Sequence, residues 1–182
     1  MAVAHSTTPQ TREDRAIYRA LKLLEGRMRT GGDTLTCPGS VRDYLRLLLG
    51  DEDREVFTVV FLNAQNRVIQ CEPMFYGTLT QTAVYPREVA RRALHHNAAA
   101  VILAHNHPSG IAEPSRADLG LTCRLMEVLR MFDVEVLDHF IVSGTGATSL
   151  MECGLLGMRD FPASQPTQTR MKRSRKTKTA AE

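Results

Sequence analysis

The sequence contains no tryptophan, and aromatic residues make up only 5% of its 182 positions. No stacking platform for single-stranded nucleic acid is evident, because such surfaces rely on aromatic side chains under successive bases. Long apolar runs are missing as well. A stretch such as Ala98 to Ala104 falls far short of the roughly 20 residues that a spanning helix needs. The start, MAVAHSTTPQTRED, turns polar and acidic at once and lacks the apolar segment of a secretory signal. These absences predict a soluble, cytoplasmic chain with no membrane partner. Cysteine is sparse too: Cys37, Cys71, Cys123 and Cys153 are widely spaced, with no CxxC. That argues against a zinc ribbon, a thioredoxin-like redox pair or a small disulfide scaffold. Cys123 stands among apolar neighbours in a helical pattern and reads as a buried free thiol.

What is present is enough for a core. Hydrophobic residues are 43% of a chain about one domain long, which excludes wholesale disorder. The formal charge of +3 is unevenly placed. Arg170, Lys172, Arg173, Arg175, Lys176 and Lys178 crowd the last residues against one acid, Glu182, so the body before them is slightly acidic. The chain therefore divides into a helical segment over 1–50, an α/β domain over 51–160 and a disordered basic tail over 161–182. The tail is the one place where weak, non-specific contact with nucleic acid is expected, through phosphates.

Thr11 to Arg29 has apolar residues at helical spacing (Ile17, Ala20, Leu21, Leu24, Met28) and stops at Gly31-Gly32. Ser40 is placed to cap a second helix, Val41 to Leu49. From Glu55 the texture becomes β-branched and aromatic: EVFTVVFL, a turn at NAQN, then RVIQCEPMF, together a hairpin. Pro86 opens a helix through His95. Ala99 to Ala104 reads as a buried strand, HNHPSGIAEP as a loop, Arg116 to Met131 as a helix, VEVLDHFIV as a strand and GTGAT as a loop. Strands alternating with helices point to a layered α/β domain.

The chemistry concentrates in one stretch, His105-Asn-His107-Pro-Ser-Gly-Ile-Ala-Glu-Pro-Ser115-Arg-Ala-Asp118. Histidines two apart at a strand's end point to the same side and can grip one ion. Pro108 and Gly110 force an immediate turn, after which Asp118 lies in the first turn of a helix and can swing back towards them. Two imidazoles and one carboxylate leave a fourth tetrahedral position for water, the arrangement of a catalytic zinc site. Ser115 and Asp118 alone would make only a helix-capping pair; the conjunction of HxHP, a short loop and SxxD after an apolar strand favours a metal.

That conjunction resembles the JAMM (MPN+) metalloprotease motif, a remote Glu followed by HxHP and SxxD. The closer likeness is to the RadC family, marked by HNHPSG, then PSxxD, with PRE before and LDH after. Here these are His105 to Gly110, Pro114-Ser115 with Asp118, Pro86-Arg87-Glu88, and Leu137-Asp138-His139. The likeness runs from about Glu55 to Leu156, over half the chain. It implies a mixed β-sheet in the cytidine-deaminase-like α-β-α sandwich of JAB/MPN domains, with zinc on His105, His107 and Asp118. Longer members carry an N-terminal helix-hairpin-helix-like region associated with DNA binding; with about fifty residues there, this chain resembles a short form.

The implied activity is zinc-dependent hydrolysis of a peptide or isopeptide bond in a protein or peptide substrate. Ser115 would hold the carbonyl, and a glutamate would be the base. Of Glu52, Glu55, Glu72, Glu88 and Glu113, the resemblance favours Glu55 at the head of the first core strand. Glu88 suits the helix dipole and reads as structural. His139, beside Asp138, reads as a core or supporting histidine and not as a fourth ligand. An HNH nuclease disperses its letters through a ββα unit. A nucleobase deaminase needs HxE and PCxxC, and a gluzincin or metzincin needs HExxH; all three are excluded. The rival class is a non-enzymatic scaffold of the same fold, binding a protein or DNA.

Overall fold

The computed structural model describes residues 11–30, 38–77 and 83–159. The expected tail over 161–182 and Cys37 lie outside the described residues. Among the described residues, four helices, α1 (Arg12–Thr30), α2 (Pro38–Leu49), α3 (Pro86–His95) and α4 (Arg116–Arg130), accompany five strands. The strands are β1 (Val56–Leu62), β2 (Val68–Tyr76), β3 (Ala100–Asn106), β4 (Glu135–Ser143) and β5 (Gly146–Ser149). Their order in the sheet is β2-β1-β3-β4-β5, with β3 and β4 parallel and every other pair antiparallel. The one parallel pair is the one bridged by a helix, α4, as a parallel connection requires.

Alternation along β1 sorts its side chains onto two cores. Val56, Val60 and Leu62 join Ala100, Ile102 and Ala104 of β3 beneath α1 and α2, with Leu21, Tyr44, Leu45, Leu48 and Leu49. Phe57, Val59 and Phe61 join Val101 and Leu103 beneath α3 and α4, with Val89, Ala93, Leu125 and Leu129. The sheet is therefore buried on both faces, and β1 and β3 are buried at every position. This is the expected mixed-sheet α-β-α sandwich. Within it Cys123 is buried, as expected, and Cys153 is exposed.

Four local expectations need correction. Helix α2 begins at Pro38, so Ser40 lies inside its first turn instead of preceding the helix; proline tolerates the first helical turn, where its missing N–H is not needed. Glu55 precedes β1 instead of opening it. Strand β3 runs on through His105 and Asn106, because both continue the ladder with Ile141 and Val142 of β4. The glycine-rich GTGAT segment supplies most of β5, paired through Gly146↔Ser143 and Ser149↔Phe140. Glycine is a poor strand former, and here hairpin closure onto β4 overrides that preference.

The β3–β4 ladder is irregular at a single step. Its register passes from Val101↔Val136 to Ile102↔Asp138, leaving Leu137 as an extra residue. A bulge of this kind changes which side the next residues face. Val136 packs with the α3/α4 core and Leu137 against the α1/α2 core, while His139 comes opposite Leu103. His139 thus shares a face with Leu103 and His105.

Candidate metal centre

The site forms where β3 ends and α4 begins. His105 is the penultimate residue of β3 and almost fully buried, and His107 lies just beyond the strand, half-buried. After His107 the chain turns at Pro108–Gly110, with Gly110 at φ 84°, a backbone conformation that glycine adopts freely. Ser115 then caps α4: its hydroxyl accepts from the Asp118 N–H at 3.1 Å. The Asp118 carboxylate in return accepts from the Ser115 N–H at 2.6 Å and from its hydroxyl at 2.7 Å. The capping box is therefore real, and it is also what turns Asp118 towards the histidines.

The Nε2 atoms of His105 and His107 are 3.0 Å apart. Asp118 Oδ1 lies 3.2 Å from His105 Nε2, and Oδ2 lies 3.5 Å from His107 Nε2. Ligands about 2.0–2.2 Å from a tetrahedral ion stand about 3.3–3.6 Å from one another, so these separations are close to those around one small cation. The far nitrogen of each imidazole is held from behind. His107 Nδ1 donates to the Ile111 carbonyl at 2.9 Å, which can only accept, so Nε2 is the nitrogen left to face the cluster. His105 Nδ1 meets His139 Nε2 at 2.9 Å. Phe57 stacks on the His105 ring and meets the His139 ring edge-on.

The same contacts shift the protonation of the groups that make them. Burial would raise the Asp118 pKa, but the two imidazoles and Ser115 hold its carboxyl well below the ordinary range. His107 is raised, chiefly by its hydrogen bond to Asp118, with Glu55 adding a smaller electrostatic contribution. His139 goes the other way: complete burial and the neighbouring His105 push it well below the usual histidine value. It stays neutral.

Glu55 is half-buried at the entrance to β1, and its charge reaches His107. What holds it there is Asn106, whose side chain points away from the two histidines. Asn106 Oδ1 accepts from the Val56 N–H at 2.8 Å, and Nδ2 donates to the carbonyls of Arg54 at 2.9 Å and Glu52 at 3.2 Å. The other glutamates are engaged elsewhere or exposed. Glu72 pairs with Arg92 and His96 across the edge of the sheet, Glu88 pairs with Arg87 and Arg91, and Glu113 is exposed.

His105, His107 and Asp118 thus come together, with Ser115 on Asp118 and Glu55 nearby. Sequence reading missed Thr122, Asn106 as a tether, and the anchoring contacts of Asp138. Thr122 sits four residues after Asp118, on the same helix face, and that spacing was the available signal. Asp138 accepts from the N–H groups of His139 and Met151, at 2.7 and 3.0 Å, and from Ser149 Oγ at 2.5 Å.

Comparison with known proteins shows the family of the chain. A family model described as a RadC-like JAB domain matches residues 35–155. A UPF0758 protein of Thiobacillus denitrificans is 64% identical over 125 residues, which are 69% of this chain and 56% of that protein. One from Chromobacterium violaceum is 56% identical over 137 residues, 75% of this chain and 61% of that protein. A third, from Dechloromonas aromatica, is 63% identical over 125 residues, 68% of this chain and 55% of that protein. The chain spans little more than half the length of these relatives. Among the described residues, no helix is long and apolar enough to cross a membrane.

Proposed function

The chain belongs to the RadC-like JAB domain family, and from that premise we propose that it is a zinc-dependent hydrolase of the JAMM type, acting on peptide or isopeptide bonds. The observation that carries the reading is the convergence of two imidazole Nε2 atoms and one carboxylate at 3.0–3.5 Å. His107 is half-buried and Pro108–Gly110 are exposed, so a substrate can approach the cluster from that side.

His105, His107 and Asp118 would hold the ion. Zinc, when bound there, makes a water acidic and polarises a carbonyl. Glu55 accepts the attacking water's proton on its carboxylate and delivers it to the leaving amine. Asn106 keeps that carboxylate in place by tying down the backbone on both sides of it. Ser115 is suited to donate to the developing oxyanion, but its single hydroxyl proton now lies on Asp118. It must rotate to serve the substrate, and ligation of Asp118 would favour that rotation by drawing off the carboxylate's charge.

The test is metal content of the full chain, followed by cleavage of a peptide and isopeptide library with and without chelator. About one zinc per chain, with chelator-sensitive cleavage restored by added zinc, supports the reading. A zinc-loaded chain that cleaves neither bond type at any concentration tested would move the protein to the scaffold class.

A further inference from the structure

We infer that Thr122 and His139 are positioning residues that lock His105 in the tautomer whose Nε2 lone pair faces the cluster. The inference rests on the metal reading only for what that lone pair is for; the tautomer itself follows from hydrogen-bond directions. Thr122 Oγ1 lies 2.6 Å from the Asp118 carbonyl oxygen and 2.6 Å from His139 Nδ1. A hydroxyl has one hydrogen, and a carbonyl can only accept. The Thr122 proton is therefore on the Asp118 carbonyl, since turning it away would press two oxygen lone pairs together at that distance.

The oxygen then offers only a lone pair to His139 Nδ1, so His139 carries its proton there and is bare at Nε2. That bare nitrogen, 2.9 Å from His105 Nδ1, requires the proton of this bond to sit on His105. In the neutral ring, His105 Nε2 is then the nitrogen without a hydrogen, facing His107 Nε2 and Asp118 Oδ1. In the opposite setting, an N–H on His105 Nε2 would occupy the position where an ion must sit. The relay also closes on itself, because Thr122 leans on the backbone of Asp118, another proposed ligand. Its existence depends on the extra residue at Leu137, which puts His139 on the His105 face. Partners behind metal-binding imidazoles commonly set tautomer and orientation; here the partner is a second imidazole, itself set by a hydroxyl.

The tautomers are read directly by two-bond 1H–15N spectra of the histidine-labelled, metal-free full chain, at about pH 8, above the ordinary histidine pKa. In the wild type, His105 and His139 should both carry the proton on Nδ1. Thr122→Val keeps the shape and removes the hydroxyl; it should move both rings towards the Nε2–H form and weaken zinc binding by roughly 10- to 100-fold. Thr122→Ser should restore both. A merely structural role for Thr122 would lower the melting temperature without exchanging the tautomers. An unchanged His105 tautomer in Thr122→Val overturns the inference.

If Thr122→Val does not fold, His139→Gln and His139→Leu decide it. The glutamine carbonyl can accept from His105 Nδ1 and should retain zinc better than leucine by about 10-fold; equal affinities overturn the inference. A wild type that binds no zinc would sink the metal reading, while the tautomer comparison would still stand or fall by itself.

Discussion

Asn106 Oδ1 accepts the Val56 N–H at 2.8 Å, so the residue between the two site histidines also holds the entrance to the first strand. With Nδ2 on the Arg54 and Glu52 carbonyls, this buried amide spends its hydrogen-bonding capacity on the backbone flanking Glu55. Successive strand residues face opposite sides, so one tripeptide serves both sides of the sheet.

Asn106→Ala should therefore be costly. Three hydrogen bonds go, and the Val56 N–H, whose bond is buried, is left without a partner, a loss worth about 1–3 kcal/mol. We expect a loss of at least about 2 kcal/mol in urea unfolding, with zinc binding largely kept because neither histidine is touched. A stability loss under about 0.5 kcal/mol would show that water replaces the amide.

Glu55→Gln should separate the base from the metal. The change preserves shape and hydrogen bonding but removes basicity, so zinc content and melting temperature should match the wild type. Hydrolysis of any substrate the wild type cleaves should fall by roughly 100-fold or more. Glu88→Gln, on an exposed helix start paired with Arg91, should stay active. Full turnover by the Glu55 variant would remove it from the mechanism.

Zinc affinity should depend on pH in a direction set by His107. A histidine ligates only when neutral, and the His107 pKa is raised, first by its bond to Asp118. Protons therefore compete with zinc beginning above the ordinary histidine pKa of about 6.5. Affinity should be flat at higher pH and fall as pH drops through that raised value, by up to about tenfold per unit. Asp118 stays ionised throughout, its pKa being depressed. A chelator-competition titration from about pH 8 to about pH 5.5 reads the onset; an onset well below about 6.5 would contradict the assignment.

Ser115→Ala should cost about 1 kcal/mol through loss of the helix cap. The Asp118 carboxylate would still accept from the backbone N–H of residue 115, so zinc binding should persist. Thermal melts and metal analysis on one preparation check both parts. Loss of zinc would mean that the hydroxyl is needed to aim Asp118.

Asp138→Ala should destabilise the protein more, by about 2–4 kcal/mol, since it frees the Ser149 hydroxyl and two backbone N–H groups at once. Burial raises the Asp138 pKa, and these three donors offset part of that penalty. The same substitution should weaken zinc binding indirectly, because Asp138 follows the bulge that orients His139. Unchanged urea midpoint and zinc affinity would dismiss both roles.

Local chemistry made much of this protein legible in its sequence. Apolar periodicity marked the helices; β-branched runs marked β1, β2 and β4. HxHP followed by SxxD marked the His105-His107-Asp118 cluster, because spacing along one strand end and one helix start is a short-range property. What only the tertiary structure decided lies between elements. Simple alternation from Val136, which packs with the α3/α4 core, would turn His139 towards α1 and α2; the extra residue at Leu137 turns it towards His105. A bulge is a mismatch between two strands and has no signature in either one alone. Likewise GTGAT forms a strand only because β4 is there to pair with it. Asn106 and Thr122 look like ordinary polar residues until residues fifty positions upstream or seventeen downstream close on them. Side-chain direction across a sheet is a matter of register, and register is settled only when the strands meet.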